Sequence, residues 1–436
     1  MRNAWVSRIG MVTLVGVMVL APFFALAVSS SVFATTFTFT TIDVDGVTTQ
    51  AYGINDGGQI VGQFRVPPSG SEYQGLLRDT NGAITTFAVP AALSTFAIGI
   101  NNAGQIVGMA QLDAIPSIVG FHRDTNGAYT TFLVPGSGDT TAHGINTTGQ
   151  IVGYFTDAVA HGFLDTGGVF TTFVVPGATS TNTAARGINA TGQIVGTFND
   201  TTLAPLPFPV GYTPRGFLYS GGVFTTIDVP GASETFAYGI NETGQIVGTF
   251  VDATGAHGFL DTGGVFTTLN APGANHTEAW GINKAGQIVG WFNDGTGTHG
   301  YLATPVNASP VCINAQAFPA VLWSPNHQFV PIVVMGVTDP DGDSVTITVT
   351  SVTQDEPVKT KGSDNTSPDA VIQAGTASVR TERSGTGNGR IYQVSFKAED
   401  GKGGSCTGTV TVGVPHSMQV GLTAIDDGQV YDSTVP

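Results

Sequence analysis

The chain has 436 residues, with 15 Lys and Arg against 31 Asp and Glu, a formal charge of −16, and only 11% charged side chains. That acidic balance argues against nucleic acid, whose partners need basic stripes, and 41% hydrophobic residues spread along the chain argue against disorder. Gly, with 60 residues or about twice the usual share, and abundant Thr, Val and Phe point to short strands and tight turns, while two cysteines leave room for one bridge but no four-cysteine zinc site.

Residues 1–34 read as an export signal. Arg2 and Arg8 precede the apolar run Ile9 to Val28, and Val32-Phe33-Ala34 ends a small-residue stretch suited to cleavage after Ala34; Ala25-Leu26-Ala27 is a second candidate cut. A retained signal anchor is the alternative, since the run is nearly long enough to span a bilayer. Pro22 and the serines favour cleavage. The mature chain is expected to be secreted or held at the cell envelope, monomeric and without a membrane span.

Residues 35–304 repeat. Gly-Ile-Asn begins at Gly53, Gly99, Gly144, Gly187, Gly239 and Gly281, and each triplet leads into Gly-Gln-Ile-Val-Gly. A second pair of segments follows, as in His257-Gly258-Phe259-Leu260 and Val265-Phe266-Thr267-Thr268. In Asn241-Glu242-Thr243-Gly244, Asn suits the first position of a type I turn, and Gly supplies the positive φ that closes a hairpin. Asp261-Thr262-Gly263-Gly264 follows the same logic, so Asp165 and Asp261 are turn residues, not an acid/base pair. Each unit is then a four-stranded antiparallel sheet, and the period fits an all-β, six-bladed β-propeller. The chain enters at Phe37 to Ile42 without the preceding His-Gly-Phe-Leu strand and leaves after His299-Gly300-Tyr301-Leu302, the missing one. A strand latch is therefore expected to close the ring and remove its open edge.

These repeats resemble the bacterial extracellular repeat called the HAF family. The resemblance implies secreted or envelope-associated bacterial proteins, mostly without assigned activity.

Residues 305–416 change character: Lys and Arg become commoner and alternating segments such as Ser344 to Val352 and Arg390 to Ala398 suggest a β-sandwich of the immunoglobulin-like sort. In an exported chain, Cys312 and Cys406 are expected to form a bridge joining its ends. Leu322-Trp323-Ser324-Pro325-Asn326-His327 and Glu382 to Tyr392 resemble an Ig-like module found C-terminally in secreted bacterial proteins, where it is an accessory domain. Residues 417–436 are expected to be a flexible tail.

Candidate sites are few. Asp339, Asp341 and Asp343 alternate around Gly342 as Ca²⁺ loops do, and Glu356, Asp364, Asp369 and Asp400 could complete the shell; an ion-free Asp/Gly turn accounts for them equally. His161, His257 and His299 share a repeat position that Gln74, Val119 and Arg215 occupy elsewhere, which fits a polar strand end better than zinc. Two positions vary with large side chains on the constant scaffold. Before Gly-Ile-Asn stand Tyr52, Ile98, His143, Arg186, Tyr238 and Trp280; after Ile-Val-Gly stand Gln63, Met109, Tyr154, Thr197, Thr249 and Trp291. Packing between blades would explain any one of them. As a set, Tyr52, His143, Tyr154, Arg186, Tyr238, Trp280 and Trp291 suit a binding face for an extracellular glycan or protein. A polysaccharide-acting hydrolase or lyase is the competing reading, because propellers gather residues from distant blades.

Overall fold

The computed structural model describes residues 36–435 except 45, 68–71, 114–116, 177, 179–181, 201–212, 359–365 and 418–422; the expected signal segment and Asp364 lie outside the described residues. All regular structure among them is β.

Four strands, Thr49–Ile54, Ile60–Arg65, Tyr73–Arg78 and Ile84–Phe87, form the first antiparallel sheet. The pattern recurs from first strands at Ala92–Ile100, Asp139–Ile145, Thr183–Ile188, Glu234–Ile240 and His276–Ile282. A single parallel bridge, Ala256 to His276, links the last two sheets. In the last one the outermost strand comes from the other end of the repeats: Phe37–Ile42 runs antiparallel to Thr298–Pro305, with Phe37 opposite Pro305 and Ile42 opposite Gly300.

The hairpin chemistry is as the residues require. Gly58 N–H donates to Asn55 C=O at 2.9 Å, and Gly58 takes φ +84°, a conformation open to Gly. The Asn side chain does more than close its own turn. Its Oδ1 accepts from the backbone of Gln59 at 2.9 Å, and its Nδ2 crosses to the next sheet. Asn55 donates to Asn101 O at 3.1 Å, Asn101 to Asn146 O, Asn146 to Asn189 O, Asn189 to Asn241 O and Asn241 to Asn283 O. Asn283 donates to Asn55 O at 3.2 Å, so the series returns to its start.

Packing follows the same rotation. The fully buried Val of each Ile-Val-Gly inserts into the next sheet's core: Val61 lies with Ala97, Ile100, Ile106 and Phe121. Val289 of the last sheet lies with Ile54 and Ile60 of the first, so the seam is built like every other junction. Burying one such side chain stabilises by roughly 1.5–3 kcal/mol. The Gly of Gly-Ile-Asn permits the innermost strands to approach one another: a Cβ on Gly99 would stand 2.5 Å from His143 O, and one on Gly281 2.7 Å from Tyr52 O. This radial arrangement of sheets is a β-propeller.

After Pro305 two four-stranded sheets share one core. One contains Gln316–Phe318, Phe329–Met335, Thr376–Arg380 and Ala370–Gln373; the other contains Ser405–Pro415, Gly389–Glu399, Thr346–Gln354 and Tyr431–Asp432. Cys312 and Cys406 are bonded, with Cα atoms 6.0 Å apart and 94 positions between them. Of the expected flexible tail, residues 417–436, the segment 431–433 is instead held, while 418–422 and 436 lie outside the described residues. Tyr431 pairs with Gln354, Ser433 is fully buried, and Ser433 O accepts from the amides of Asp369 and Ala370. Those amides would otherwise be buried without partners, which is why the chain end is held.

Candidate functional site

The first variable position is defined by a local distortion. In every repeat the register between the first two strands slips by one residue, between Ala51 and Gly53 in the first sheet and between Ala185 and Gly187 in the fourth. The extra residue is Tyr52, Ile98, His143, Arg186, Tyr238 or Trp280 in turn. A β-bulge leaves its extra residue unpaired and re-aims its side chain. The preceding Ala is fully buried and the following Gly faces the next strand's backbone, so the bulged residue is directed into the central channel.

There the side chains meet. Tyr238 stacks on Trp280 with ring centroids 4.2 Å apart, Tyr52 packs edge-on against Trp280 at 4.7 Å, and His143 stacks on Tyr154 at 5.5 Å. Across the channel His143 and Trp280 lie nearly parallel at 6.4 Å. Arg186 is set among these rings, its guanidinium carbon 5.3 Å from the centre of Tyr154, 5.8 Å from Tyr238 and 6.0 Å from Trp280. Such cation–π contacts are worth more as water is removed. Arg186 Nη1 donates to His143 Nε2 at 2.8 Å. A cavity of about 130 Å³ opens beside this group, lined by Tyr52, Met109, Thr141, Tyr154, Arg186 and Trp280 among others.

Burial, and then the neighbouring Arg186 cation, hold the His143 imidazole well below its usual pKa, so it is neutral and accepts the Arg186 hydrogen bond. Burial, and then the Glu278 carboxylate, push the phenols of Tyr52 and Tyr238 upward, so both remain protonated. Tyr52 OH donates to Gln50 Oε1 at 2.9 Å and accepts from Gln63 Nε2 at 3.0 Å.

Six of the seven expected binding residues, Tyr52, His143, Tyr154, Arg186, Tyr238 and Trp280, thus converge. Trp291 does not line this cavity; it stacks on His276 at 4.7 Å. A third ring escaped the sequence reading: Gln50, Phe96, Thr141, Ala184, Phe236 and Glu278 lie opposite Gln63, Met109, Tyr154, Thr197, Thr249 and Trp291. Each stands two positions before the bulged residue, and the period-two alternation of a strand was the available signal. Glu278 accepts from Trp280 Nε1 at 2.7 Å and lies 3.1 Å from His276 Nε2, which fixes the Trp280 ring.

The acidic loop of the C-terminal part is formed as expected, with ligand atoms of Asp339, Asp341 and Asp343 within 4.8 Å of one another. Its extended shell is not. Glu356 and Asp369 bond to buried Arg390, at 3.2 and 2.7 Å, because a buried guanidinium needs carboxylate partners. Asp400 accepts from Asn307 and from the Lys402 and Gly404 amides. Lys402 Nζ sits 2.8 Å from Asp343, and that hydrogen bond pushes the Lys402 pKa upward. The residues fit either a hard cation or this ammonium. His161, His257 and His299 each face an aspartate of the propeller, Asp157, Asp252 and Asp43 respectively, in keeping with polar strand ends.

No family model matches the chain, and no curated protein matches it. Among solved structures it is similar to TolB from Acinetobacter baumannii, at 12% identity and a TM-score of 0.38, over 60% of this chain and 65%, less than two thirds, of that one. A gluconolactonase from Xanthomonas campestris gives 12% identity and a TM-score of 0.37 over 62% and 90% of the two chains. The propeller domain of the Trilobed protease from Pyrococcus furiosus gives 10% and 0.38 over 62% and 87%. Among the described residues no helix is long and apolar enough to cross a membrane.

Proposed function

We propose that this chain is an exported, non-enzymatic binding protein: a six-bladed HAF-type propeller latched by Phe37–Ile42, carrying an Ig-like accessory domain, with its channel mouth as a glycan site. The observation that carries this reading is the convergence of Tyr52, His143, Tyr154 and Trp280 around one cavity, with Tyr238 stacked behind Trp280. Aromatic rings offer sugars an apolar plate, and their polar edges meet hydroxyls. Glycoside hydrolysis by the usual route needs two carboxyl groups facing the bond. The described residues lining the cavity include no Asp or Glu, and Glu278 is occupied by Trp280 and His276. A Ca²⁺ ion on Asp339, Asp341 and Asp343 would act on stability; melting with and without chelator tests it.

A glycan array scored for both binding and cleavage separates the readings. Retention of intact glycans by the wild type and their loss in Tyr154→Ala support binding. Released products would establish the hydrolase or lyase instead, and an empty array with a positive protein pull-down would move the site to a protein ligand.

A further inference from the structure

Among the described residues Arg186 has no ion pair, a trait it shares with Arg123, which also lies over two aromatic rings; of the described arginines it is Arg186 that lines the channel. Arg215 faces Asp228, Arg380 lies within 4 Å of Asp369 and Glu382, and Arg390 is bonded to Asp369 and Glu356. Among the described residues no carboxylate lies within ion-pair distance of Arg186, whose polar partner is the neutral imidazole of His143. Its Nε is buried without a hydrogen-bond partner. A part-buried guanidinium among three aromatic rings has lost part of its hydration, which those rings only partly replace. Glu278 could have neutralised it, but its carboxylate is turned to Trp280 Nε1 and His276.

The cavity beside Arg186 completes the picture. Its volume is about 130 Å³. A carboxylate and the adjoining edge of a sugar ring are the part of a glycan that would enter it. Guanidinium and carboxylate match in planar geometry, and because Nε is shut off from solvent the terminal nitrogens would do the donating. The Tyr154 and Trp280 rings line the cavity, as does Thr141, whose Oγ1 donates to Met109 Sδ at 3.8 Å.

Building on the glycan reading above, we propose that the channel mouth selects acidic sugars, with the carboxylate of a uronic acid residue docked on Arg186 and its ring against Tyr154 and Trp280.

Isothermal titration of the full chain with trimers of galacturonate, glucuronate and mannuronate, each against its methyl ester, tests this. At least one acid trimer should bind tenfold or more tighter than its ester. Arg186→Gln should abolish that preference, while Arg186→Lys keeps part of it because a charge without the fork remains; melting curves of both variants verify folding. Equal binding of acid and ester, or full acid preference in Arg186→Gln, would overturn the inference while leaving the glycan site in place. Failure of every acid trimer would also overturn it, and neutral glycans binding on the array would then show that the broader reading survives.

Discussion

Arg186 donates from Nη1 to His143 Nε2 at 2.8 Å, which places a permanent cation against a buried imidazole inside the channel mouth. The consequence is a pH dependence with a definite sign. Folded His143 takes a proton only well below its ordinary value, whereas the unfolded chain takes one near pH ~6.5. Between those values the unfolded state binds more protons, so stability contributed by neutral His143 is present above about pH 6.5 and is lost as pH falls. His143→Gln, which still offers Arg186 an acceptor, should show a smaller fall in melting temperature between about pH 7.5 and 5 than the wild type. Parallel curves would mean that His143 takes its proton in the fold as it does in the unfolded chain.

The second prediction concerns the seam between last and first sheets. Asn283 Nδ2 donates to Asn55 O there, and Gly281 packs against Tyr52 O. Asn283→Ala leaves a buried carbonyl short of its donor, a loss of roughly 1–3 kcal/mol. Gly281→Ala forces a methyl into backbone and should cost about 1–3 kcal/mol or more. Denaturant unfolding of both variants checks this; a negligible change in either would mean that the seam is open in solution.

Removing Phe37–Ile42 is expected to do more than lower stability. Thr298–Pro305 would lose its partner along six paired positions and become an edge strand. Unpaired edges recruit other chains, so light scattering should detect more association of the truncated protein than of the full chain at the same concentration.

The disulfide should act on one part of the molecule. Cys312 and Cys406 close a loop of 94 positions, worth roughly 4.7 kcal/mol in the loop-closure model. Reduction should lower the melting transition of the two-sheet C-terminal part and leave that of the cysteine-free propeller where it was. Truncation after Ser417 should also destabilise the C-terminal part, because it removes the acceptor for the Asp369 and Ala370 amides and the donor to Val352 O. Unchanged calorimetry on truncation would restore the view of a free tail.

What was legible in the sequence depended on whether a residue's role is local. Asn55 and Gly58 announce a turn through chemistry confined to four residues, and the turn is there. The cross-sheet bond of Asn55 to Asn101 was invisible, because its acceptor is a backbone atom one repeat away. Tyr52, His143, Arg186 and Trp280 stood out because they vary where their neighbours do not, yet the bulge that aims them is a two-strand property. Glu356 and Asp369 were read from charge alone as able to complete a cation shell, and the fold gives them Arg390 instead. The tail carries no strong strand pattern. It is held by the unsatisfied amides it covers, which no linear reading displays.

The most direct test of the binding account is a crystal structure of the full chain with the tightest-binding glycan from the array. The account predicts an intact sugar at the channel mouth, in contact with Tyr154 and Trp280 and with its charged group, if it has one, on Arg186. A glycan bound on the C-terminal sheets or the propeller's outer rim, or found cleaved at the mouth, would contradict it.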